Sequence, residues 1–136
     1  MNTNNYRKKA SENGQYFENA MFNYLTILYS DVKYINKEVD LLVKDKYIEI
    51  KSCQEWQIDN SSTTKKRHGR FVLDKQQHVK LLKNEGYYLF IVHNEKKIIF
   101  MKMLPAFAIN FKRLITWTTV KKIANKLEEY ANDVEF

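Results

Sequence analysis

Asp40, Glu49 and Lys51 stand close together in residues 38–52, EVDLLVKDKYIEIKS, and their types suit one kind of chemistry. Two carboxylates can hold a hard divalent cation through oxygen, while a neighbouring ammonium steadies developing negative charge or a nucleophilic water. The stretch reads as two apolar-rich runs, 38–43 and 47–51, joined by a Lys-Asp-Lys turn signal, which predicts a tight β-hairpin. Alternation along a strand puts Glu49 and Lys51 on one face, with Ile48 and Ile50 on the other. A two-residue connection at Lys44-Asp45 pairs Asp40 with Glu49, and one at Asp45-Lys46 pairs it with Lys51. Either register sends Asp40 to the same face as both, and only an odd-length connection breaks the cluster.

The rest of the chain must position that hairpin. A length of 136 residues predicts one domain, large enough to bury a core without covalent staples. With 44% apolar and 29% charged residues the composition is that of a globular domain. No run of 18 apolar residues and no signal-peptide pattern occurs, so the expectation is a cytoplasmic protein with no membrane partner. The single Cys53 excludes an intrachain disulfide and a cysteine-rich zinc site. His68, His78 and His93 fall on no metal-ligand spacing and read as surface or loop residues.

From Ser11 the pattern is helical: Phe17, Ala20, Met21, Tyr24, Leu25 and Leu28 recur at the spacing of one helix face. Glu18 lies one residue off that stripe, at the boundary between core and solvent, where an acid can reach toward a neighbouring sheet. Residues 33–36 predict a short strand before the hairpin. Asp74 predicts the N-cap of a helix over 75–84, with Val79, Leu81 and Leu82 as its apolar face and Gly86 as its stop. YYLFIVH, 87–93, predicts a central strand buried on both faces, and KIIFMKM, 97–103, the strand after it. Pro105 ends that strand and 106–111 predicts one helical turn. An edge strand over 113–117 and a last helix, capped by Thr118 or Thr119 and built on Val120, Ile123, Ala124, Leu127 and Tyr130, complete the chain. This order of elements predicts an α/β fold, a mixed central β-sheet flanked by helices.

A net charge of +7 favours a polyanionic partner. Its clusters are Arg7, Lys8 and Lys9 in a polar arm over 1–10, and Lys65, Lys66, Arg67 and Arg70 at the end of SCQEWQIDNSSTTKKRHGR. The second stretch, 52–70, has no periodicity and reads as a mobile basic loop whose cations neutralise phosphates and whose Trp56 can wedge or stack against bases.

Asp40, eight residues, then Glu49-Ile50-Lys51 resembles the D-x(n)-(D/E)-x-K signature of the PD-(D/E)xK nuclease superfamily, with Val39 where a proline often stands. The resemblance covers roughly 14–103 and implies a restriction-endonuclease-like core, with 105–136 as a C-terminal elaboration. It implies a DNA endonuclease using Mg²⁺, or Mn²⁺ as substitute, held by Asp40, Glu49, the Ile50 carbonyl and Glu18, with Lys51 orienting water or stabilising charge. Gly14-Gln15-Tyr16-Phe17-Glu18 and GRFVLDKQQHVKLL resemble segments of the archaeal Holliday junction resolvases, which implies a role for Glu18 and for Gln77, or Gln76 if the register is off by one. That subtype implies four-way junctions as substrate and a homodimer for two paired incisions, with Phe107, Ile109, Phe111 and Trp117 as candidates for the interface. The alternatives are a restriction- or repair-type nuclease of the same fold, a non-catalytic nucleic-acid-binding module and a small protein-interaction domain.

Overall fold

The structure, a computed structural model, describes residues 16, 19–21, 23, 32–34, 41–43, 46–58, 65–95 and 97–133. Tyr16, Asn19, Ala20, Met21 and Asn23 are helical, in the stretch expected to form the first helix. Among the described residues nine strands and two helices follow: β1 (Val32–Tyr34), β2 (Leu41–Val43), β3 (Lys46–Gln54), β4 (Trp56–Ile58), β5 (Lys66–His68), β6 (Arg70–Val72), α1 (Lys75–Lys83), β7 (Tyr87–Asn94), β8 (Lys97–Pro105), β9 (Leu114–Thr116) and α2 (Trp117–Asp133). A single 3₁₀ turn, Ala106–Ala108, lies between β8 and β9.

The main sheet has the order β1-β2-β3-β7-β8. β3 and β7 are parallel and the other neighbours antiparallel, so the sheet is mixed, as expected. β7 is central because its run of apolar residues suits a strand covered on both sides: Tyr88 to His93 are all buried. One face carries Tyr88, Phe90 and Val92, with Cys53 beside Val92 on β3, and packs against Phe71, Leu73, Leu81, Ile115, Trp117, Val120 and Ala124. Each large apolar side chain buried there contributes about 1.5–3 kcal/mol. Ile48, Ile50, Leu89, Ile91 and His93 alternate with these residues and are buried on the opposite face.

α1 starts where expected: the Asp74 side chain accepts a hydrogen bond from the Gln77 N–H at 3.0 Å. Its end differs from expectation. Glu85, at φ 51°, takes the left-handed position, and the Gly86 N–H closes the helix on the Leu81 carbonyl at 2.7 Å. Gly86 is needed instead for close approach, since a Cβ there would stand 2.7 Å from Leu81 Cδ2 and 2.9 Å from the Tyr47 carbonyl oxygen. The apolar face differs too: His78 and Leu81 are buried while Val79 and Leu82 are exposed, because the helix turns toward Tyr88 rather than along its most apolar stripe.

Of the expected loop over 52–70, residues 59–64 lie outside the described residues and the rest is largely strand. β3 runs on to Gln54, and β4 and β5 pair as an antiparallel ribbon, Trp56 opposite His68 and Ile58 opposite Lys66. Polar residues pair backbones as well as apolar ones, and this ribbon has no buried face to impose alternation. Residues 105–116 also contribute to the core. β9 pairs with β6, Ile115 opposite Phe71, and Ile109 and Trp117 lie in the core, leaving Phe107, at 78%, as the strongly exposed member of the expected interface group. In α2, Val120 and Ala124 are buried as expected and Tyr130 is exposed.

Candidate active site

β3 is held between β2 and β7, and that placement fixes the charged pair. Glu49 and Lys51 are two residues apart and share a face, with Lys51 Nζ 3.4 Å from Glu49 Oε1. The Glu49 side chain is 3% exposed and that of Lys51 is 19% exposed. A carboxylate so far from water is costly to keep charged unless cations or donors offset the loss, and the Lys51 ammonium supplies one such charge. Lys51 itself keeps contact with solvent, so the pair sits at the floor of the surface rather than deep in the core.

Next to this pair, Glu49 stands opposite Tyr88 and Lys51 opposite Phe90 in the parallel register of β3 and β7. The Tyr88 hydroxyl lies 2.8 Å from His78 Nδ1, a buried bond that ties β7 to α1. Burial pushes the Tyr88 pKa up, and the negative charges of Glu49 and Asp74 push it further in the same direction. Burial also lowers the His78 pKa. Both partners are therefore neutral near pH 7, sharing one bond whose direction the imidazole tautomer sets. The site thus has an uncharged polar floor beside a charged pair. Because Asp74 and Glu49 both act on Tyr88, the first turn of α1 belongs to the same neighbourhood.

Gln77, in that first turn, is half-buried, and its Oε1 is buried with no hydrogen-bond partner among the described residues. Gln76 is exposed. Of the two candidate glutamines, Gln77 is the one directed away from solvent. Asp40, Glu18, Arg7, Lys8 and Lys9 lie outside the described residues. Among the described residues no group of three His, Cys, Asp or Glu is arranged to hold a metal ion.

The basic residues separate by environment. Lys65 and Lys66 are exposed, whereas Arg67 donates from Nη1 to Gln57 Oε1 at 2.8 Å. Arg70 donates its backbone N–H to the same oxygen at 3.3 Å, and its buried Nε has no hydrogen-bond partner among the described residues. Gln57 therefore ties the ribbon to the start of β6.

Two histidines read as surface residues are not: His78 is 5% and His93 0% exposed, and burial lowers both pKa values. The sequence offered one signal for His78, its place three residues before Leu81 on the same helix face. Tyr88 was hidden inside an apolar run. No helix among the described residues is long and apolar enough to cross a membrane.

A search of curated proteins and a search of solved structures each found no match. A family model described as the PD-(D/E)XK nuclease superfamily domain matches residues 4–132. That match takes in the paired strands with Glu49 and Lys51, the ribbon, both helices to within a residue of their end and the mixed sheet between them, and the chain therefore belongs to the PD-(D/E)XK nuclease superfamily, whose members are metal-dependent nucleases acting on nucleic acid.

Proposed function

We propose that this protein is a Mg²⁺-dependent DNA endonuclease, structure-selective and resolvase-like, with Glu49 and Lys51 at its hydrolytic centre. The observation that carries the reading is the Glu49–Lys51 pair itself, a buried carboxylate held 3.4 Å from a partly solvated ammonium on one face of β3. Support for Asp40 comes from register: Val43 opposes Lys46 and Leu41 opposes Ile48, the arrangement expected of a two-residue connection at Lys44-Asp45, in which the next pair outward is Asp40 with Glu49.

The available donors fit a hard cation. Glu49 and the Ile50 carbonyl offer oxygen, as Asp40 and Glu18 would, and softer ligands are withdrawn. Burial pushes the Cys53 thiol up to about 12, so it stays protonated, and His78 is engaged with Tyr88. A divalent ion bound there would supply an activated water and charge neutralisation at the phosphate. Lys51 orients that water or stabilises charge on the phosphate oxygens, and its exposed side is the one a substrate can reach. Gln77, whose buried Oε1 has no hydrogen-bond partner among the described residues, would position a polar group of the substrate or its water. Lys65, Lys66 and Arg67 engage backbone phosphates outside the centre.

The junction preference is the finer part of the proposal, and with it the pairing of two chains, since symmetric resolution needs two incisions. Incubation with labelled four-way junction, duplex and single-stranded DNA, in Mg²⁺, Mn²⁺ or EDTA, tests both levels. Paired cuts in the junction that EDTA abolishes are expected. Equal cutting of linear duplex would replace the resolvase reading with a restriction- or repair-type nuclease, and no cutting of any substrate in either metal would leave a binding module.

A further inference from the structure

The β4–β5 ribbon carries an aromatic stack that the hydrolytic centre does not use. Trp56 is 42% exposed. Its ring lies on His68 at 4.4 Å between centroids and 24° between planes, and His68 meets Trp117 edge-on at 5.6 Å and 87°. Trp117 is fixed in turn. Its Nε1 donates to the Glu55 carbonyl at 3.0 Å and its backbone N–H to the Gly69 carbonyl at 3.1 Å. Gly69 donates its own N–H to the Glu55 carbonyl at 3.0 Å. A Cβ at Gly69 would stand 1.7 Å from the Gln54 carbonyl oxygen, so this crossing of strands admits no side chain. The exposed indole therefore rests on a pedestal anchored in the core. Little conformational freedom is lost when something flat stacks on such a ring.

Charge defines the partner. Opposed residues of an antiparallel pair share a face, so Trp56, His68, Ile58 and Lys66 lie on one side of the ribbon. Lys66 stands two residues before His68, about 7 Å along the strand. Neither ribbon strand contains an acid, Glu55 lying just before the first, while Lys66 is exposed on the side of the ring. An aromatic plane with a neighbouring cation suits a nucleobase and the phosphate attached to it.

We infer that Trp56 is a stacking platform for an unstacked base of the nucleic-acid substrate, and that it biases the enzyme toward DNA with an opened or single-stranded segment beside the cleavage point. The inference rests on the nuclease reading above and deepens it. Trp56 is five residues on from Lys51, at most about 17 Å along the chain. At about 3.4 Å per nucleotide of duplex the platform lies within roughly five nucleotides of the scissile phosphate. A continuous duplex keeps its bases stacked on one another and offers no base face there. Forks, flaps and branch points do.

The test uses the full chain in EDTA, so that binding is read without cleavage, with two probes of one sequence: a continuous duplex and a fork whose single-stranded arm carries 2-aminopurine. Trp56→Ala is expected to weaken fork binding about 5- to 150-fold, the range that loss of one base–aromatic stack produces, and duplex binding less than about twofold. Trp56→Phe, which keeps a ring on the His68 pedestal, should hold fork affinity within a few-fold of wild type. Equal weakening on both probes, or an unchanged fork affinity in Trp56→Ala, overturns the inference. A melting temperature measured for each variant separates a folding failure from a lost contact, and 2-aminopurine quenching by the wild-type protein stands independently: a fork whose fluorescence does not change on binding also overturns it. Cleavage in Mg²⁺ is scored separately. Fork selectivity lost on Trp56→Ala in a protein that cuts nothing supports the platform and sinks the nuclease, whereas cutting without fork selectivity does the reverse.

Discussion

At the middle of β3, Glu49 is 2% exposed and its cation partner is fixed by strand geometry. Beyond the end of the same strand, Lys66 stands in solvent on a ribbon of two three-residue strands, with exposed Lys65 just before it. The first region holds its charges where water screens them weakly, so small displacements there change energies substantially. In the second, charges act through a salt atmosphere and through number rather than geometry. On the proposed reading one strand divides the labour: chemistry would need the rigid sheet, and capture only reach and sign. Substitutions in the two regions should fail in different ways.

The largest contrast is expected from Lys51→Met. Removing this ammonium should lower the cleavage rate of bound DNA about 10²- to 10³-fold, the scale of losing one preorganised charge-stabilising group, with DNA affinity nearly unchanged. Single-turnover cleavage at saturating protein reads the first quantity and equilibrium binding the second. A variant that bound weakly but cut bound DNA at the wild-type rate would erase the distinction between the regions.

The ribbon should behave oppositely. Neutralising Lys65, Lys66, Arg67 and Arg70 together is expected to flatten the slope of log affinity against log salt by about 0.9 for each lost phosphate contact. Bound DNA should still be cut. Arg67 and Arg70 sharpen this prediction, because Arg67 is already held by Gln57 and Arg70 is half-buried. If the two lysines alone account for most of the change in slope, the arginines hold the ribbon in place rather than the substrate.

Gly69→Ala attacks the joint between the regions. A Cβ 1.7 Å from the Gln54 carbonyl oxygen forces the strands apart, and a loss of about 1–3 kcal/mol in urea unfolding is expected, the cost of overfilling a packed site. Fork binding should fall with it. Stability equal to wild type would show that the ribbon moves independently of the sheet.

The smallest effect concerns acid. His78 and His93 have pKa values lowered by burial, so the unfolded chain takes up protons that the folded chain refuses. Their contribution is fully present above the ordinary histidine value, about 6.5, and is lost as pH falls below it. The urea midpoint should therefore drop between pH 7.5 and pH 5, and His78→Gln should remove part of that drop. A midpoint that rises on acidification contradicts the neutral floor beside Glu49.

Much of this was readable in the sequence where one local rule dominated. The Asp74 cap, the unbroken apolar run of β7 and the alternation around Glu49 and Lys51 each needed only near neighbours. Where two distant segments met, the sequence was silent. The His78–Tyr88 bond joins a helix to a strand, and neither residue signals the other beforehand. The ribbon escaped notice because its strands are polar and short, without the alternation that burial imposes. Phe107, Ile109, Phe111 and Trp117 looked alike by composition, yet the pairing of β9 with β6 draws Trp117 inward while Phe107 stays out. Glu49 and Lys51 came together as expected, and Gln77 rather than Gln76 turns from solvent. The family match carries the nuclease class.

The most direct test of the central claim is Glu49→Gln, which keeps the side chain's shape and removes its charge, measured for single-turnover cleavage and for Mn²⁺ binding on the same protein. The account predicts that cleavage falls to the detection limit and Mn²⁺ affinity drops at least about tenfold, while DNA affinity in EDTA and urea stability stay near wild type. Cleavage at the wild-type rate by this variant, in a folded protein that still binds DNA, would place the hydrolytic centre elsewhere in the molecule.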